Sequence, residues 1–146
     1  MDLKKISLQH KDSVEPPAVD INQISFEELS SVQDASLKEI ILNDFLCFVE
    51  QENFAGVVDL IVQKMRYGAT LTLCGKDIIQ IARLMMKREL PLPMAKHFLY
   101  SKKKSSYSCL ELISEMEARG LRVLRKNLDD ITYTIIMERP NARNGQ

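Results

Sequence analysis

Few side chains here are of types that do chemistry unaided, and they lie far apart in the chain. His10 sits in a polar stretch and has the near-neutral pKa of a general base or a phosphate donor, against the plainer reading of an exposed loop residue. His97, inside Ala95-Lys96-His97-Phe98, reads as the surface of a short helix. Cys47, Cys74 and Cys109 are odd in number and widely spaced among apolar neighbours. That suits reduced core thiols better than disulfides or a metal cluster, and two histidines add too little for a zinc site. Lys102, Lys103 and Lys104 are flanked by Tyr100 and Tyr107, a combination that holds a nucleic-acid backbone and stacks on a base, or simply a solvated loop. The seven methionines, Met85-Met86 among them, read as adaptable core filling.

The elements that must position these residues follow an α/β pattern. Lys4 to Leu8 reads as a short strand, and after the break at Glu15-Pro16-Pro17 a second begins at Ala18-Val19-Asp20-Ile21. Ile24 to Leu29 is compatible with a strand end or one helical turn. Lys38 to Asn43 has the continuous apolar centre of a strand buried on both faces. From Phe54 the apolar residues fall at 54, 57, 58, 61, 62 and 65, the spacing of an amphipathic helix, which is expected to end near Arg66-Tyr67 with Gly68 as its terminator. Ala69 to Cys74 is the next strand, Gly75-Lys76-Asp77 a turn, and Asp77 the cap of a helix carrying Ile78, Ile81, Ala82 and Met85. Pro91 and Pro93 stop it, a short helix covers Met94 to Tyr100, and another carries Cys109, Leu112, Ile113 and Met116 towards Gly120. Leu121 to Lys126 and Thr132 to Met137 alternate around a turn-rich Asn127–Asp130, which predicts a closing antiparallel hairpin.

With 146 residues the chain fits one domain, over 1–140, followed by a polar tail at 141–146. No apolar run approaches the ~20 residues needed to cross a bilayer, and the N-terminus lacks the pattern of a secretory signal, so a cytoplasmic protein without membrane contact is expected. Net charge is zero but polarised: residues 1–60 hold twelve acidic and four basic side chains, and residues 61–146 reverse the balance. An acidic face meeting a basic one favours self-association or a protein partner.

A mostly parallel sheet with alternating helices and a final antiparallel hairpin resembles the class I S-adenosylmethionine-dependent methyltransferases, type 11-like, over about Lys4 to Pro140. Asp34 to Ile41 resembles the segment leading into that family's fourth strand. Arg66 to Leu73 resembles the glycine-containing segment before its fifth, and Gly120-Leu121-Arg122-Val123 with the hairpin its sixth and seventh. The resemblance implies a Rossmann-like sheet with helices on both faces. It implies a cofactor site at Leu8, Gln9 and His10, with Asp20 as the acidic residue on ribose hydroxyls and Asn43-Asp44-Phe45 facing the methyl group. Methyl transfer depends mainly on positioning, so no acid or base is diagnostic.

The family pattern "kinLGCGd" matches Lys5 to Asp12, where Gln9 and Lys11 stand in place of both glycines, and Gly56 is the first glycine of the chain. A Cβ at such a position costs roughly 1–2 kcal/mol in strain and occupies ligand space. The expectation is therefore a methyltransferase-like protein with an eroded cofactor loop, similar to short phage-encoded members of the fold. It would bind no cofactor and serve as an interaction or assembly module. The alternatives are an active methyltransferase using S-adenosylmethionine through an atypical loop, and a nucleic-acid-binding protein on the same scaffold.

Overall fold

Alternating apolar residues fall into register across four strands and define the core. The computed structural model describes residues 5–8, 22–100 and 103–141. Its strands are β1 (Lys5–Leu8), β2 (Asn22–Ile24), β3 (Leu37–Asn43), β4 (Met65–Lys76), β5 (Arg122–Asp129) and β6 (Thr132–Glu138). They form one six-stranded sheet in the order β2-β1-β3-β4-β6-β5, parallel from β2 to β4 and antiparallel through β6 and β5. Pairing aligns Ile6, Ile40, Leu71 and Met137 in one row and Leu8, Leu42, Leu73 and Ile135 in the next, all buried. Each such side chain contributes roughly 1.5–3 kcal/mol by leaving water. The mostly parallel α/β sheet with its closing hairpin is as expected.

Three helices cover these rows: α1 (Phe26–Leu29) through Leu29, α2 (Phe54–Lys64) through Phe54, Val58 and Ile61, and α5 (Cys109–Glu117) through Cys109, Leu112 and Met116. The other two, α3 (Ile78–Met86) and α4 (Leu92–Tyr100), build a separate small cluster of Ile81 and Ala95 around Ile131 in the β5–β6 turn. On the opposite face of β4, the Lys76 ammonium donates to Thr132 Oγ1 (3.1 Å) and lies over the Phe98 ring of α4 at 5.9 Å. No helix among the described residues is long and apolar enough to cross a membrane.

The helix ends differ from expectation in instructive ways. Helix α2 stops at Lys64, because Met65 is already extended and buried at the start of β4. Its last carbonyls need no glycine cap: Arg139, at the end of β6, donates through Nη1 to Val62 O (3.1 Å) and Met65 O (2.6 Å) and stacks on Tyr67. Gly68 therefore sits inside β4 rather than ending a helix. It takes φ +84° where the register with β3 jumps from Leu37↔Met65 to Glu39↔Thr70, a bulge that a side-chain-free residue accommodates. Gly75 and Lys76 likewise continue β4 instead of turning. Ile24 to Leu29 proves to be both a strand end and a helical turn, and the expected strand at 18–21 lies outside the described residues. Lys64 is buried, yet its ammonium donates to Val32 O (2.6 Å) and Asp34 Oδ1 (2.7 Å). Hydrogen bonds from Lys64 and Gln63 hold the Asp34 carboxyl below the usual range.

Asp77 ties the two helical groups together. Its Oδ1 accepts from Gln80 N (3.0 Å) as the cap of α3, and its Oδ2 accepts from Cys109 N (2.7 Å) at the start of α5. Asp77 N–H reaches Ile131 O (2.7 Å), and Ile78 N–H reaches Tyr107 O (3.0 Å). Replacing Asp77 by alanine removes a cap and strands a buried N–H, so it should lower stability by roughly 2–4 kcal/mol. Gly56→Ala, at an exposed position inside α2, should raise stability by about 0.5–1 kcal/mol. Urea unfolding of the two variants beside the wild type checks both signs.

Candidate functional site

In open α/β sheets a ligand site forms at the carboxyl ends of the strands, where strand order reverses. Here the order reverses between β1, flanked by β2, and β3, flanked by β4. The carboxyl end of β3 delivers Asn43, Asp44 and Phe45. Asp44 is buried in a left-handed turn (φ +53°), a conformation aspartate tolerates better than most residues, and its N–H donates to Cys74 O (2.9 Å). Phe45 is buried against Phe26, with ring centroids 6.1 Å apart.

Just beyond lies the 3-10 turn Leu46–Phe48, which places the Cys47 thiol 3.3 Å from Asp44 Oδ1 as a donor. Burial, and then the Asp44 charge, push the Cys47 thiol far above its ordinary pKa. The thiolate that nucleophilic chemistry needs is suppressed here. Tyr133, from β6, enters the same space and packs over Gly75. A Cβ at position 75 would stand 2.6 Å from the Tyr133 hydroxyl, so this glycine is required by close approach. Burial raises the Tyr133 phenol well above its usual value. Tyr107 closes the other side against Phe54, 5.0 Å between centroids, and its buried hydroxyl has no hydrogen-bond partner of ordinary geometry. What remains between these groups is a cavity of about 10 Å³, room for one water.

A second space opens on the α2 side of the same edge. It is a groove of about 610 Å³ floored by Phe26, Phe48, Val49 and Val57, with Gly56 at its wall and Glu50, Glu52 and Lys104 at its rim. It shares no lining residue with the small cavity at the β3 and β4 ends.

Of the residues expected to form a cofactor site, the structure describes Leu8 and Asn43. Leu8 is fully buried in the core rows, and Asn43 is half-buried at the end of β3. Gln9, His10 and Asp20 lie outside the described residues, as does Lys102. Lys103 donates to Phe98 O (2.6 Å), Lys104 is exposed at the groove rim, and Tyr100 is exposed while Tyr107 is buried. The two tyrosines thus do not form one stacking surface. His97 is exposed on α4 beside Phe98, as read from the sequence. Cys47, Tyr133 and the groove carboxylates escaped sequence reasoning. Tyr133 meets Gly75 only once the β4–β6 register is known.

No protein-family model matches this sequence, and no curated protein matches it. The fold does find counterparts. A S-adenosylmethionine-dependent methyltransferase from Archaeoglobus fulgidus superposes with TM-score 0.58 and 12% identity over 91% of this chain and 75% of its own. One from Methanosarcina mazei gives 0.59 and 15% over 82% and 67%. The magnesium protoporphyrin IX methyltransferase of Synechocystis, solved with bound S-adenosylhomocysteine, gives 0.56 and 10% over 81% and 51%. The architecture is that of the S-adenosylmethionine-dependent methyltransferases. At such identities the likeness is one of fold.

Cys47, Tyr107, Cys109 and Tyr133 all carry raised pKa values, each chiefly through burial. The folded state keeps protons that the unfolded chain releases. The associated stability is present in full below the ordinary thiol value of 9.0 and is lost progressively above it. The urea midpoint should therefore fall between about pH 8 and about pH 10, and native Cys47 should resist iodoacetamide at the lower pH. A flat midpoint, or rapid native alkylation of Cys47, would contradict this packing.

Proposed function

We propose that this chain is a methyltransferase-fold binding module that does not turn over S-adenosylmethionine and acts through contacts with another macromolecule. The observation that carries the reading is the filled carboxyl edge. Where β3 and β4 end, Cys47, Tyr107 and Tyr133 leave about 10 Å³, against the roughly 300–1,000 Å³ of a small-molecule site. The larger groove opens on the α2 side of the same edge and shares no lining residue with that cavity. Among the described residues, those at the β3 and β4 ends leave no room for the cofactor. Gln9 and Lys11, standing where the family pattern has glycines, support the same conclusion.

Calorimetric titration with S-adenosylmethionine and S-adenosylhomocysteine, after a check for carried-over ligand, tests this directly. No binding should be seen at millimolar ligand. Micromolar binding that is abolished by Asp20→Ala would overturn the reading in favour of an active methyltransferase with an atypical loop.

A further inference from the structure

Helices α3 and α4 meet at a tip that is both apolar and basic. Met86 is 86% exposed, Leu92 54% and Met94 49%, an unusual concentration of large apolar side chains facing water. Around them the exposed Arg83, Lys87, Arg88 and Lys96 outnumber Glu89, and none is held in an ion pair among the described residues. The groove beside α2 is its complement. Its floor is aromatic and aliphatic, and Glu50 and Glu52 at the rim outnumber Lys104. Glu27 and Glu28 are exposed on the short helix that supplies Phe26. The polarised charge of the sequence, acidic to residue 60 and basic beyond, is thus expressed as two local surfaces of opposite sign.

We infer that the α3–α4 tip of one copy seats in the Glu50/Glu52 groove of a second copy of this chain. Both features rise from the carboxyl edge of the sheet: α2 and its preceding turns follow β3, and α3 follows β4. A two-fold axis at that edge lets each copy give its tip and receive the other's, closing a dimer. An anionic membrane or a nucleic acid approaching the same edge would meet the carboxylates of the groove as well as the tip, which disfavours both. The proposal rests on the binding-module reading for its sense, since it makes the groove a protein site.

The test is sedimentation of the full chain at micromolar concentration. The wild type should pass from 16.7 kDa to twice that mass as concentration rises, less readily at high salt. Arg83→Glu with Lys87→Glu on the tip, and Glu50→Lys with Glu52→Lys on the groove, should each weaken association by about a hundredfold. Mixed in equal amounts, the two double variants restore opposite charges at both contacts, one in the native and one in the reversed sense, and should dimerise again. Gly56→Leu should fill the groove and block association while leaving the circular-dichroism melt at or above that of the wild type, because a Cβ there meets nothing within 4 Å. A wild type that stays monomeric, a dimer indifferent to these variants, or a mixture that stays monomeric overturns the proposal. Dimerisation together with micromolar S-adenosylmethionine binding would leave the docking intact and sink the binding-module reading. A monomer that binds no cofactor would do the reverse.

Discussion

Asp77 is the single carboxylate on which the two halves of the helical layer converge. A buried carboxyl group is costly unless its oxygens are satisfied. Here one oxygen takes an N–H from the first turn of α3 and the other an N–H from the first turn of α5. Both donors are among the orphan groups that helix starts leave behind, and both helix dipoles favour a negative charge at that point. One residue thus fixes where β4 ends, where α3 begins and where α5 docks. Ser108 completes the α5 start with a capping box through Glu111. Without this junction the β5–β6 hairpin would lose the Asp77–Ile131 link that holds its turn against α3.

From that junction the state of the carboxyl edge follows. Docking α5 brings Tyr107 against Phe54, and pairing β6 to β4 brings Tyr133 over Gly75. Both tyrosines close on Cys47 and Asp44, and the space at the β3 and β4 ends becomes packed protein. The thiol and the phenols are all pushed toward their neutral forms by the same burial.

Much of the fold was legible because the sheet rows are simple. The continuous apolar centre of residues 38–43, the β-rich run 69–74, the alternation of 132–137 and the period of α2 located these elements within a few residues. The failures have physical causes. Gly68 looked like a helix stop, because a remote side chain, Arg139, that does the stopping cannot be seen from local sequence. Gly75 looked like a turn, because its true constraint is the Tyr133 ring on another strand. The candidate site was less legible than the fold. Asn43 and Asp44 were placed at the right edge by strand topology, but that the edge is filled depends on side chains from β6 and the segment before α5, which no spacing rule brings together. The groove carboxylates carried only one advance sign, the polarised charge of the sequence.

The division of the apolar interior into two clusters has a thermodynamic meaning. The large cluster joins the sheet to α1, α2 and α5, whereas Ile81, Ala95 and Ile131 hold α3 and α4 with only partly buried companions. Cooperative units of a protein open at free energies set by the contacts each one buries. The α3–α4 hairpin is then expected to open at lower free energy than the sheet. Backbone amides of α3 and α4 would exchange with solvent water well before those of β3 and β4. Among the described residues, α3 and α4 join several exposed apolar side chains to a small cluster of their own, a combination that lets a surface adapt to what it meets.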